Sequence, residues 1–361
     1  MANIGASGDG QGIAPPTTED VTEIYDAISL HQQWFSNRGG RRAELSFRNL
    51  SGISLKGCNL AGARLIGAIL TGVDLSETDL TGANIRNSDM RRSSLRGASL
   101  RGADVVGANL ADAVLDRANL SKAKMSGCDF TGASLVGANL SDSDFAKATL
   151  IGVDLRDADL HGASFAKAVV DAVTVALCEA AGVVMPVGSI GPDYREISVE
   201  EFVMSIVRHE LWIASSGNLG ARLDVDMVKV PALKMTGRHL GGSRLRRCKI
   251  EGGSWLGVDL NMADLSFTDL SGLDLDHAKL RGVILRRANL SHTNLTAAIF
   301  DPVPLVIGQS FAASNLEGAV LAHAMLANAS FSGANLRSAS LQGCSMAGAS
   351  WEGADMEGAR W

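Results

Sequence analysis

Apolar side chains return at every fifth position over a long stretch of the chain. Leu45, Leu50, Leu55, Leu60, Leu65, Leu70, Leu75 and Leu80 open the series, which continues through Ile85, Met90, Leu95, Leu100, Val105 and Leu110, past Leu150 and Phe165, to Val175: 27 pentads without an insertion. Two residues before a centre there is usually a small residue, as at Ala63, Ala83, Ala98, Ala103, Ala108, Ala133, Ala138 and Ala158. On an α-helix a step of five residues advances about 500° and walks around the cylinder, so these leucines cannot mark one helical face. In extended backbone, positions two apart share a face. The small residue and the centre then point inward, the residue between them points out, and the remaining two turn the chain. Glycine at the second of these (Gly57, Gly62, Gly67, Gly72, Gly82, Gly97, Gly102, Gly107) eases the corner.

A second array starts weakly near Val225, becomes regular from Leu240 and holds its register to Phe300. It then slips by one residue and runs from Phe311 through Leu316, Leu321, Leu336, Met346, Trp351 and Met356 to Trp361. Pro302 and Pro304 lie at the slip and remove two ladder donors, which predicts a bulge or protruding loop over 301–310.

Units such as Ala83-Asn84-Ile85, Ala103-Asp104-Val105, Ala108-Asn109-Leu110 and Ala334-Asn335-Leu336 resemble the A(D/N)LxG unit of the bacterial pentapeptide-repeat family. The resemblance covers roughly three quarters of the chain. It implies an all-β solenoid, a right-handed quadrilateral parallel β-helix with four pentads per coil. Residues twenty apart would then be stacked neighbours about 4.8 Å apart. That spacing puts Glu44, Arg64, Asn84, Asp104, Lys124 and Asp144 in one outward column, and Asn119 beside Asn139. Gly253 beside Trp255 reads as volume compensation inside one coil.

Two segments break the period in the same way. Thr17 or Thr18 can cap a helix running to about Phe35, with Val21, Ile24, Ile28, His31 and Phe35 on one stripe. Ser198, with Glu201 at the capping-box position, opens a second helix carrying Val199, Phe202, Val203, Ile206 and Ile213 in phase. His31, Trp34, Gly40 and Arg42 align with His209, Trp212, Gly220 and Arg222 after a two-residue gap in the first copy. Solenoid ends expose apolar core and unpaired strand edges, so both helices are expected to be caps, with His31, Trp34, His209 and Trp212 as capping residues. The expected organisation is a disordered N-terminus over 1–16, a capping helix over 17–40, a first array over 41–175, a linker over 176–197, a second capping helix over 198–220 and a second array over 221–361 broken at 301–310.

Composition narrows the chemistry. Cys58, Cys128, Cys248 and Cys344 fall on the small inward position, Cys178 lies in the linker, and no pair has CxxC spacing, so buried reduced thiols are expected. None of the seven histidines pairs with another His, a Cys or a carboxylate in a metal-site motif; no nucleophile elbow or phosphate loop is present, and no catalytic residue, metal or cofactor is expected. The start of the chain has no basic stretch followed by an apolar run, and nothing approaches a membrane span, so a cytoplasmic protein is expected.

Charge bears on partners. The net −6 comes from the segments outside the arrays, since 41–175 holds 16 basic and 15 acidic residues and 221–361 holds 14 and 13. Some members of the family protect DNA gyrase by imitating duplex DNA, which needs a strongly negative rod that these arrays lack. Arg86, Arg91, Arg96 and Arg101, with Arg92 beside them, would form a basic belt around one coil. Arg244, Arg246, Arg247 and Lys249 form a smaller cluster, and Trp351, Met356 and Trp361 give a bulky C-terminal end. These three are the candidate interaction surfaces, the last also for self-association. The sequence thus points to a non-enzymatic scaffold or adaptor binding protein partners. Its alternatives are a topoisomerase-directed regulator conferring drug resistance and a secreted effector using the repeats for targeting; direct nucleic-acid binding is not expected.

Overall fold

The computed structural model describes residues 15–180, 191–305 and 310–361, and of 177–180 the backbone alone. Most of the expected disordered N-terminus, the middle of the expected linker and the tip of the expected loop lie outside the described residues. The chain divides into two compact units: Met1–Asp129 with 138–146 and 159–164, and a second made of 130–137, 147–158 and 165–361. The repeat regions form a right-handed quadrilateral β-helix.

In the first unit the expected column is present as a continuous parallel ladder, Glu44 with Arg64, then Asn84, Asp104, Lys124, Asp144 and Ser164. The inward residues stack beside it: the Leu65 amide donates to the Asn84 carbonyl at 2.7 Å, and that of Ile85 to Asp104 at 2.7 Å. Leu65, Ile85 and Val105 are fully buried, as are Ala63, Ala83 and Ala103. A buried leucine contributes about 1.5 to 3 kcal/mol and an exposed ion pair at most about 1, so the apolar columns dominate stability. Each corner closes with a short turn, such as the Ala63 amide to the Leu60 carbonyl at 2.9 Å. The second corner residue has positive φ whether it is Gly62 (70°), Asn87 (54°), Arg92 (58°) or Lys122 (61°). Glycine is therefore the unstrained choice there, not an obligatory one.

Helix α1 (Thr18–Phe35) belongs to this unit. Thr17 caps it, accepting from the Asp20 amide while Asp20 bonds back to Thr17. Ile24, Ile28 and His31 are its buried face; Phe35, placed on the stripe by its spacing, is exposed.

The second unit holds α2 (Ala172–Ala180), α3 (Val199–Ala214) and the second array. The first array's strand pattern ends at Val169–Val170, paired in parallel with Thr149–Leu150, and α2 follows at once. Val175, counted above as a centre, is thus helical and partly exposed. Ser198 caps α3 by accepting from the Glu201 amide; the Glu201 side chain pairs with Arg195 instead of closing a capping box.

The second array keeps the twenty-residue spacing through Lys279 with Ile299, after which Ile284 pairs with Asn315, thirty-one residues on. The extra residues leave the coil as an antiparallel hairpin, Val303–Pro304 against Phe311–Ala312, so the expected break is a projecting hairpin. Phe311, counted above as the first centre after the slip, lies on it with 64% of its surface exposed, and the core resumes at Leu316. Gly253 also differs from expectation: it is exposed, with φ 110°, and a Cβ there would overlap the Leu233 carbonyl of the paired strand. Close backbone approach, not compensation for Trp255, requires glycine.

Candidate interaction surfaces

Each helix that precedes an array is fixed to it by the same histidine geometry. His31 is fully buried, and its Nδ1 accepts from the Ala43 amide at 3.1 Å. His209 is likewise buried, and its Nδ1 accepts from the Leu223 amide at 3.0 Å. Both rings are therefore neutral with the proton on Nε2. His209 Nε2 donates to the Gly241 carbonyl at 3.2 Å, whereas His31 Nε2 is buried with no partner at ordinary hydrogen-bond geometry among the described residues. Burial lowers both pKa values below 6.5. Trp34 and Trp212 stack on these rings at centroid distances of 5.3 and 5.6 Å. Gly40 and Gly220 let the chain turn back against the helix end, where a Cβ would strike the Leu30 or the Arg208 carbonyl. Each tryptophan also lines an open cleft: Trp34 with Phe35, Asn37 and Gly39, about 490 Å³, and Trp212 with Ile213, His239, Asp259 and Met262, about 520 Å³.

The belt arginines are not a free cationic ring. Arg91 grips Asp89 with two nitrogens at 2.6 and 2.8 Å, Arg86 reaches Asp104 at 3.2 Å, and Arg96 reaches Asp116 at 3.4 Å. Arg92 and Arg101 are exposed, with no carboxylate partner among the described residues. In the second cluster Arg244 and Arg246 share Asp224, and Arg247 pairs with Asp226. Near the C-terminal end Trp351 stacks on Phe331, which stacks on Phe300, each pair at 4.5 Å; Trp361 meets Trp351 edge-on at 5.9 Å and is exposed. Met356 is partly buried against the same core.

A buried polar network in the second unit had no signature in the sequence. Arg287 is 7% exposed and donates from one nitrogen to the carbonyls of Gly132 and Ala133. Asp154, 2% exposed, takes both ends of the Arg156 guanidinium. Burial works to raise the Asp154 pKa, but the Arg156 hydrogen bonds and the charges of Arg287 and Arg156 outweigh it and hold the carboxylate ionised. Asp171 accepts from the Gly152 and Thr174 amides, and burial pushes its pKa up to about 6. Arg287 occupies a corner position where a solvated side chain is the default, so only the fold reveals its burial.

Chemistry at these places is limited. Burial pushes the Cys128 and Cys248 thiols up to about 12, which removes their nucleophilic thiolates at neutral pH. No group of three or more His, Cys, Asp or Glu among the described residues could hold a metal ion. No described helix is long and apolar enough to cross a membrane.

The family model for pentapeptide repeats matches repeatedly, over 41–76, 58–97, 93–132, 133–169, 263–301, 310–343 and 334–360. No curated protein matches. Among solved structures, HetL, a pentapeptide repeat protein involved in heterocyst differentiation regulation in the cyanobacterium Nostoc sp. strain PCC 7120, is 24% identical. That match covers 91% of this chain and 93% of HetL, with a TM-score of 0.28. A thylakoid-lumen pentapeptide repeat protein of Arabidopsis thaliana is 33% identical over 27% of this chain and 66% of its own, with a TM-score of 0.23. QnrB1, a plasmid-mediated fluoroquinolone resistance protein, is 14% identical over 83% and 91%, with a TM-score of 0.17.

Proposed function

Because the chain belongs to the pentapeptide repeat family, we propose that it is a non-enzymatic scaffold that binds protein partners through the outer faces of its arrays, with α1 and α3 as caps closing the arrays they precede. One observation carries this reading: the inward positions are filled by apolar side chains, and most of the outward charges mapped above are paired within their own array. What remains for interaction is surface. Mixed-sign columns such as Asp104, Lys124 and Asp144 do not favour imitation of duplex DNA, which needs charge of one sign along a face.

Affinity capture from the native cell, followed by reconstitution with purified components, tests the proposal. A partner that binds saturably and stoichiometrically is the expected result. Turnover of a small molecule by the purified chain, with no reconstitutable partner, contradicts it.

A further inference from the structure

Helix α3 carries two apolar faces, and only one is used. Phe202, Ile206 and His209 are buried against the array that follows. On the opposite side Met204, Val207 and Leu211 are 51%, 45% and 46% exposed. Helix α1 is an internal control, since it docks by the same histidine geometry with Ile24, Ile28 and His31 inward. Its residues equivalent to Met204, Val207 and Leu211 are Asp26, Ser29 and Gln33, all exposed. Docking a helix on an array therefore does not need an apolar outer face, and that of α3 requires another explanation.

Spacing and charge say what covers it. Met204, Val207 and Leu211 recur at three and four residues, the spacing of a two-helix seam. Glu201 and Arg208 flank that seam on one side, both exposed. Arg208 has no carboxylate partner among the described residues, and Glu201 meets only the exposed Arg195. On the other flank Val203 is uncharged, and Glu210 is held by Arg238 within its own chain at 2.7 Å. In an antiparallel pair of identical helices the same flank faces itself. Setting Met204 opposite Val207 of the second copy brings Glu201 against Arg208 twice, once on each side of the twofold axis; the same register sets the exposed Glu200, one turn before Met204 on this stripe, against Leu211 at each solvated end of the seam. A parallel pair would set Arg208 against Val203 and gain no ion pair.

We propose that the outer face of α3 is the seam of an antiparallel homodimer, closed at its centre by Met204 and Val207, flanked by Leu211, and registered by two Glu201–Arg208 pairs. This does not rest on the scaffold reading. A 16-residue helix offers less than the roughly 800 Å² per partner of a stable interface, so the dimer is expected in the micromolar range, Kd about 1–100 µM.

Sedimentation velocity of the full chain across about 1–200 µM reads it directly. The wild type should shift from monomer to dimer. Met204→Asp, Val207→Ser and Leu211→Gln together install the residues of α1 and should leave a monomer with an unchanged β-type circular dichroism spectrum and melting midpoint. Glu201→Arg alone should raise Kd about tenfold, and adding Arg208→Glu should restore it to within about threefold. A wild type monomeric at every concentration, as when another segment or a different protein covers the stripe, overturns the proposal. So does a dimer indifferent to the triple substitution, or one that the double charge swap fails to restore.

Discussion

At the scale of single residues, one backbone conformation governs what each repeat tolerates. The second corner residue takes positive φ throughout, and asparagine, arginine, lysine and histidine adopt it at many corners, so Gly→Ala at an open corner such as Gly257 costs about 1 kcal/mol. Gly253 is different, because its φ of 110° is joined to a steric block by the Leu233 carbonyl. Gly253→Ala is expected to cost at least about 2 kcal/mol more than Gly257→Ala, measured by denaturant unfolding of the two variants side by side. Equal midpoints would show that the strand pair of 233–234 and 253–254 can separate without loss. The sequence shows two glycines of similar appearance, and only the neighbouring strand tells them apart.

At the scale of elements, α1 and α3 are held through an acceptor that acid removes. Folding lowers the His31 and His209 pKa values, so the unfolded chain takes up these protons first as pH falls through about 6.5. The stabilisation is complete above that pH and is lost as pH drops toward the folded-state values. Protonation of Nδ1 also abolishes its acceptance from the Ala43 and Leu223 amides. Hydrogen-exchange protection of these two amides, corrected for intrinsic rate, should be level at pH 7–8 and decline below about 6.5. His209→Ala should cost about 1–3 kcal/mol at pH 7.5, because it leaves the Leu223 amide buried without a partner. Asp171 acts in the opposite sense: its raised pKa gives stability that is fully present below the unfolded value of 3.8 and lost as pH rises through about 6. Local exchange at Ala43, in the first unit, is therefore the cleaner readout than a global melt. The helices, their caps and their duplication were legible from Thr17, Ser198 and the His-x-x-Trp pairs, whereas the silent outer face of α1 and the apolar one of α3 became comparable only once the inner faces were known.

At the scale of the whole molecule, the second unit draws in 130–137 and 147–158 together with the second array, and Arg287 is the cation buried among them. Arg287→Ala strips donors from the Gly132 and Ala133 carbonyls and removes one of the two charges that balance Asp154, so it should destabilise by about 3–5 kcal/mol. Unfolding followed by a probe in the second unit, such as Trp255 fluorescence, checks this. A midpoint unchanged within error would mean that the network contributes nothing to that unit's fold. By itself, the sequence determined the inward positions, because a period of five in extended backbone is a local steric rule repeated along the chain, while the square coil and its twenty-residue stacking were what the resemblance to pentapeptide repeats implied. Only the tertiary structure decided where the first array stops, which corners are covered, that Phe311 leaves the coil on a hairpin, and that the basic belt is largely neutralised by its own neighbours. Those outcomes depend on residues far apart in the chain arriving at one place, and a repeating sequence offers the same outward position to every environment.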